Sequence, residues 1–363
     1  MKDTVTYGII GCGMMGQEHL RNIALVPGAR VGAIFEPDRA MREAAAAIAP
    51  DAVLPETAED LLEVEGLDCL LIASPNHLHI PQLEMIAAKR PLPLLIEKPL
   101  FTNPADADRV TEICAAYPAP IWVAMEYRYM PPIAALLEQA DMATGGVRML
   151  TIREHRFAFL KKVGDWNRFN RYSGGTFVEK CCHFFDLMRL VIPSEPVRVM
   201  ASAGQAANHL DESYGGETPD IWDHGYVIVE FANGARAMLE LCMFAEGSRY
   251  QEEISAVGPA GKIECLVPGP GRFWPADLGD PPVPQLIVSP RNPKGPMVLD
   301  IPVDPELLEA GDHNGSTYYQ HVRFRDAVLG KAAPEVTAED GHMAVRLGLA
   351  AQLSASTGKA VEV

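Results

Sequence analysis

Apolar residues in the first third of the chain fall into short unbroken runs, and between the runs they recur every three or four positions. The first run, Val5–Ile10, leads through Gly11-Cys12-Gly13-Met14-Met15-Gly16 into residues 17–26, with apolar positions at 20, 23 and 24. That pattern predicts strand, glycine-rich turn and helix. Pro27-Gly28 ends the helix, and a second strand follows over 30–35. Thr57-Ala58-Glu59-Asp60 reads as a capping-box helix start, 67–73 as a buried strand, 80–89 as a helix and 93–96 as a strand. Asn103-Pro104 reads as an N-cap with proline in the first turn, and 121–125 as the last strand of the series. Strands that alternate with helices build a parallel sheet with ligands beyond the strands' carboxyl ends. After Met125 the period becomes two, with strands predicted over 147–156, 197–203, 226–231, 236–244, 252–257 and 262–267. Residues 268–296 read as loop with one or two short edge strands, and 175–191, 318–329 and 340–354 as helices. The prediction is an α/β chain with a domain over 1–125 and a second over 126–363.

The glycine turn has a chemical reason. Gly11 permits the tight turn, Gly13 lets backbone approach a pyrophosphate, Gly16 lets helix pack on strand, and the helix N-terminus then faces phosphate. Glu36 ends the second strand, 20 residues after Gly16, where a carboxylate binds ribose hydroxyls. Residues 1–125 are therefore expected to be a Rossmann domain for NAD, with Asp38-Arg39 keeping NADP as the alternative. Three further strand ends rim the same crevice: Ser74-Pro75-Asn76-His77-Leu78-His79, Glu97-Lys98-Pro99 and Glu126-Tyr127-Arg128. Expected cofactor contacts are Gly11, Gly13, Met14, Met15, Gly16, Glu36, Ser74, Asn76, His79, Glu97 and Lys98. Lys98 is also placed to stabilise a developing alkoxide.

Composition narrows the partners. With 48 acidic against 31 basic residues and a net charge of −17, nucleic acid and anionic membranes are not expected to bind. No apolar run is long enough to span a bilayer, and the N-terminus lacks the layout of a signal peptide, so a cytoplasmic protein is expected. The seven cysteines form no C-x-x-C pair, and Cys181-Cys182-His183 diverge on a helix, so no metal is expected.

In the second half, 100° per residue brings Glu179, His183 and Asp186 within about 60° of one another on the helix 175–191, opposite Phe177, Cys181, Phe184 and Met188. Taken together, Gly11-x-Gly13-x-x-Gly16, Ser74-Pro75-Asn76-x-x-His79, Glu97-Lys98-Pro99 and Gly174-Gly175 followed by His183 and Asp186 resemble the glucose-fructose oxidoreductase, inositol dehydrogenase and MocA family. The resemblance spans nearly the whole chain. It implies a Rossmann domain followed by an α/β domain with a large, mostly antiparallel sheet. It further implies NAD(P)-linked oxidation or reduction of sugars and polyols, and association into a homodimer or homotetramer.

On that resemblance His183 is the candidate base, Lys98 binds the same oxygen, and Glu179 orients substrate or histidine. Lys180 and Cys181 depart from the family's aliphatic residue and glycine, and Lys180 either enters the site or is solvated. The basic segment 155–172 lies where relatives cover the substrate. It offers Arg156, Arg168 and Arg171 for an anionic group, Trp166 as a platform for a sugar ring, and Asn167 for hydrogen bonds. Tyr127, Arg128, Lys180 and His313 complete the expected substrate contacts. A dehydrogenase of a secondary hydroxyl is the leading reading. An NAD-retaining glycosidase and a non-catalytic NAD sensor are the alternatives.

Overall fold

The computed structural model describes residues 4–363; the three before them, read above as free of a leader, lie outside the described residues. Five parallel strands, β1 (Val5–Ile10), β2 (Ala29–Phe35), β3 (Cys69–Ile72), β4 (Leu94–Ile96) and β5 (Ile121–Val123), lie in the order β2-β1-β3-β4-β5. β1, β3, β4 and β5 are buried along their whole length, so they read as unbroken apolar runs rather than as alternations. A parallel bridge from Ala33 to Val53, with hydrogen bonds from Ile34 N to Val53 O and from Val53 N to Gly32 O, adds a one-residue sixth strand outside β2. That completes the dinucleotide-binding order 3-2-1-4-5-6, whose switch point lies between β1 and β3.

The second sheet has nine strands: β6 (Met149–His155), β7 (Pro196–Gly204), β8 (His224–Phe231), β9 (Arg236–Cys242), β10 (Glu252–Val257), β11 (Gly261–Val267), β12 (Gln285–Pro290), β13 (Met297–Asp300) and β14 (Val361–Glu362). Their order is β13-β12-β11-β10-β6-β9-β8-β7-β14, antiparallel throughout except for the β6–β9 pair. Every second residue of β6, β8 and β9 is buried, because helices cover one face only.

Two helical features differ from the sequence expectation. A helix over Pro131–Thr144, a stretch to which the sequence reading assigned no element, begins with proline in its first turn and ends on Gly145 at φ +67. The helix expected over 175–191 is two, Thr176–Glu179 and Cys182–Val191, with Lys180 and Cys181 between them. The break withdraws the Glu179 carbonyl from the helical ladder, and the ammonium of Lys98 donates to it at 3.0 Å. Among the described residues no helix is long and apolar enough to cross a membrane.

The two hydrophobic cores are not closed at residue 125. The core around the parallel sheet takes in Val178, Cys182, Phe324, Ala327, Val336, Ala344 and Val345. Helix Ala338–Thr357 feeds both cores, since its Leu347, Ala350 and Ala351 belong to the one under the nine-stranded sheet.

Candidate active site

β1 delivers the chain to Gly11 at φ +90, where a Cβ would stand 2.6 Å from the backbone of Ser74; only glycine lets the turns after β1 and β3 meet so closely. A Cβ on Gly16 would sit 2.5 Å from the Gly11 carbonyl, so that glycine serves packing. Gly13 differs: nothing lies within 4 Å of where its Cβ would be, and it caps helix Met14–Leu25 without a side-chain hydrogen bond. The open amide end of that helix faces a cavity of about 670 Å³ lined by Gly11, Gly13, Met14, Met15, Glu36, Ser74, Asn76, Glu97, Lys98 and Trp166, among others. Glu36 is fixed at its rim by accepting from Cys12 N at 2.5 Å and Asp38 N at 2.8 Å. A largely apolar cleft with a bare backbone cradle and a fixed carboxylate in its wall fits a dinucleotide.

A second cavity of about 110 Å³ shares Met14, Met15, Lys98 and Lys162 with the first. Its walls also carry Glu18, Tyr127, Arg156, Asn167, Glu179, Lys180, His183 and His313. Lys98, at the end of β4, points its ammonium at Glu179. Burial works against that charge, but Glu179, then Cys182, Glu97 and Glu126, hold the group above the ordinary lysine range. Burial likewise opposes the charge of Glu179. Lys162, Lys98 and the short hydrogen bond from Asn76 outweigh it and bring the carboxyl down to about 2. His183 is held the other way, well below the usual imidazole value, by burial and then by Lys98, Lys180, His313 and Arg156. It is neutral, its Nδ1 is buried without a hydrogen-bond partner, and its ring stacks on Tyr127 at 4.0 Å and 6°.

His313 donates to Glu18 at 2.7 Å and lies 3.5 Å from Glu126. Burial pulls its pKa down, but Glu18 and Glu126 carry it up to about 9, so it is a cation at neutral pH. Glu18 was missed from the sequence, and Glu126 was read there only as part of a segment rimming the crevice, with no role of its own. The signal for Glu18 was its place four residues after Met14, on the same helix face.

Several expected residues stand elsewhere. Arg128 is spent on a bidentate pair with Asp186 and on the Glu335 carbonyl, and it lines neither cavity. Asp186 therefore does not join the face of Glu179 and His183. Arg168 pairs with Glu212 at 2.8 Å and Arg171 with Glu217 at 2.5 Å, and neither reaches the cavities. His79 is fully buried between the carbonyls of Pro99 and Ser74; it ties two crevice loops together and does not line the cofactor cleft. Trp166 lines the larger cavity rather than the smaller one. Lys180, left open above, is buried and enters the site.

Comparison with known proteins bears on both halves. The model of the Gfo/Idh/MocA oxidoreductase family's NAD-binding Rossmann fold matches residues 5–125, and that of its C-terminal alpha/beta domain matches 142–363. The chain is 32% identical to inositol 2-dehydrogenase of Corynebacterium glutamicum strain R over 276 residues, 76% of this chain and 77% of that one. It is 25% identical to the rhizopine catabolism protein MocA of Rhizobium meliloti over 74% of this chain and 79% of that one. Among solved structures, an oxidoreductase of Agrobacterium radiobacter in complex with NAD+, L-tartaric acid and magnesium superimposes with a TM-score of 0.79. It is 19% identical and covers 99% of this chain and 98% of that one.

Proposed function

The chain belongs to the Gfo/Idh/MocA oxidoreductase family, with the family's NAD-binding fold first and its alpha/beta domain second, and on that premise we propose that it oxidises a secondary hydroxyl of a polyol, sugar or sugar derivative. The observation that carries the reading is the convergence of Lys98, Glu179 and His183 on a cavity that shares four wall residues with the dinucleotide cleft. A nicotinamide cofactor held by Gly11, Gly13, Met14, Met15 and Glu36 would supply the hydride acceptor. His183, neutral and clamped flat against Tyr127, takes the hydroxyl proton. Lys98, charged and held by the Glu179 carbonyl, donates a hydrogen bond to the carbinol oxygen and stabilises its negative charge as the proton leaves. Glu179 stays ionised and holds Lys98, Lys162 and Asn76 around the oxygen, so it positions rather than transfers protons. Lys162 and His313 pair with Glu179 and Glu18, which leaves Arg156 and Lys180 as the lining cations that favour an anionic derivative over a neutral one.

The test is a panel of polyols, sugars and their acid derivatives with NAD, following NADH formation against substrate consumed. Stoichiometric NADH is expected; cleaved glycosides without net NADH would replace this reading by the transient-oxidation glycosidase. In His183→Ala, kcat should fall by about 10²–10⁴ with NAD affinity unchanged. Turnover at the parental rate would remove His183 from the mechanism.

A further inference from the structure

The smaller cavity holds a second charged centre that proton and hydride transfer do not use. Where β6 and β10 run side by side, Glu154 stands opposite Glu252, and both side chains are buried. Lys180, from the break between the two helices, reaches down to this pair: its ammonium lies 2.8 Å from Glu154 Oε1 and 2.6 Å from the Tyr127 hydroxyl. Arg156, one residue beyond β6, lies 3.5 Å from the same Glu154 oxygen, and its Nε is buried without a hydrogen-bond partner. An ammonium has three donors, and Glu154 and Tyr127 use two of those on Lys180. Both cations line the cavity. Glu252 accepts from Gln251 at 2.6 Å and leaves its other oxygen unpartnered; burial and then Glu154 push its carboxyl up to about 7, so below neutrality it keeps its proton. Burial and then Arg156 lower the pKa of Lys180, while Glu154 and the Tyr127 hydroxyl hold its ammonium. That ammonium and the Arg156 guanidinium then face one carboxylate, with donors to spare. Burying such a cluster is costly, and a surplus positive charge in a protein of net charge −17 calls for an anion to complete it.

We propose that Lys180 and Arg156 anchor a carboxylate of the substrate, making the substrate a sugar acid: an aldonate, a uronate or a carboxylated polyol. The assignment rests on the dehydrogenase reading for the reaction, but not for the binding. A monoanion matches the single surplus charge, and its planar pair of oxygens suits one ammonium and one guanidinium donor side by side. Tyr127 fixes the geometry, because the ring that receives Lys180 at its hydroxyl is the ring stacked on His183. One aromatic ring therefore separates the anchor from the base, which places the carboxylate close to the carbinol that is oxidised.

Binding and turnover are measured separately. The NADH-loaded enzyme, which cannot oxidise substrate, is titrated calorimetrically with matched pairs: D-gluconate and D-glucitol, D-glucuronate and D-glucose, D-galacturonate and D-galactose. D-Glucose 6-phosphate is the phosphate arm. At least one acid should bind tenfold or more tightly than its neutral partner. Arg156→Gln, and the double variant K180M/E154Q that removes the buried ion pair as a unit, should each weaken that acid roughly 10- to 100-fold and shrink its advantage over the neutral compound. Acids that bind no better than their partners, no acid binding at millimolar concentration, tighter binding of the phosphate, or acid affinity within twofold in both variants would each overturn the anchor. NADH formed from neutral compounds only would overturn it and leave the dehydrogenase reading intact. Tight acid binding without NADH formation from any compound would leave the anchor and overturn the dehydrogenase.

Discussion

Opposite charges are held within reach of one another at Lys98, and their balance decides which groups can move protons. Lys98 and Glu179 stabilise each other's ionised forms, whereas His183, surrounded by cations, is kept from ionising. Replacing Lys98 by Met removes the cation that lowers His183 most, so the imidazole should titrate higher. The acid limb of the kcat/KM profile should move to higher pH while kcat falls, and an unmoved limb would show that Lys98 does not act on His183. At the other end of the cleft, Glu36→Ala should weaken NAD binding by roughly tenfold and narrow the preference over NADP, read by NADH and NADPH fluorescence titration. Lys98 was legible because a strand end constrains where it stands, whereas Glu179 and His183 were singled out on the family resemblance, the one helix expected to carry both being broken between them. Arg128, Arg168 and Arg171 were not legible, since their partners Asp186, Glu212 and Glu217 lie 58, 44 and 46 residues away and no local pattern pairs them.

Among the elements, β6 and β10 do more than build a sheet, because their register sets two glutamates side by side under the substrate cavity. The groups facing Glu252 are Glu154 on β6, Lys180 at the helix break, Arg156 after β6, Gln251, Tyr127 and Cys265 on β11. Cys265 stays a neutral thiol because burial pushes it far up. Glu252 is protonated below about pH 7 and ionised above it, so the cluster loses its surplus positive charge as pH rises. The dissociation constant of an acid substrate should therefore rise above pH 7 and that of a neutral analogue should not, and Glu252→Gln should flatten the acid's profile. The strands were readable from alternation, and the mostly parallel or antiparallel character of the two sheets from the change of period at Met125. The break at Lys180-Cys181 was not readable: neither residue is a helix breaker, and a wheel drawn at a fixed angle carries no information about where the ladder opens. The missed helix Pro131–Thr144 did carry its signals, a proline start and a Gly145-Gly146 stop around Ile133, Leu136 and Ala140.

For the whole molecule, the sharing of helices between cores has a mechanical meaning. Phe324, Val336 and Val345 fill the core of the parallel sheet, so a fragment of residues 1–125 should expose apolar surface, fail to bind NADH and bind a hydrophobic dye. The intact chain should melt in one transition that NAD raises; two separate transitions would show that the cores are independent. The segment 157–168 closes the site from above: Lys162 bonds Glu179 at 3.2 Å and lies over Trp166, whose ring meets His77 of the cofactor half. With this strap down, the space beside His183 is about 110 Å³, below the roughly 300–1,000 Å³ of pockets that enclose small molecules. Because Lys162 and Trp166 also line the dinucleotide cleft, one lifting of the strap serves both ligands. For the proposed dehydrogenase, opening of the strap is an expected step common to substrate and cofactor exchange. With strap opening as the slow step, rapid mixing should give a burst of enzyme-bound NADH and kcat should fall as solvent viscosity rises; no burst and a viscosity-independent kcat would show that the segment does not limit turnover.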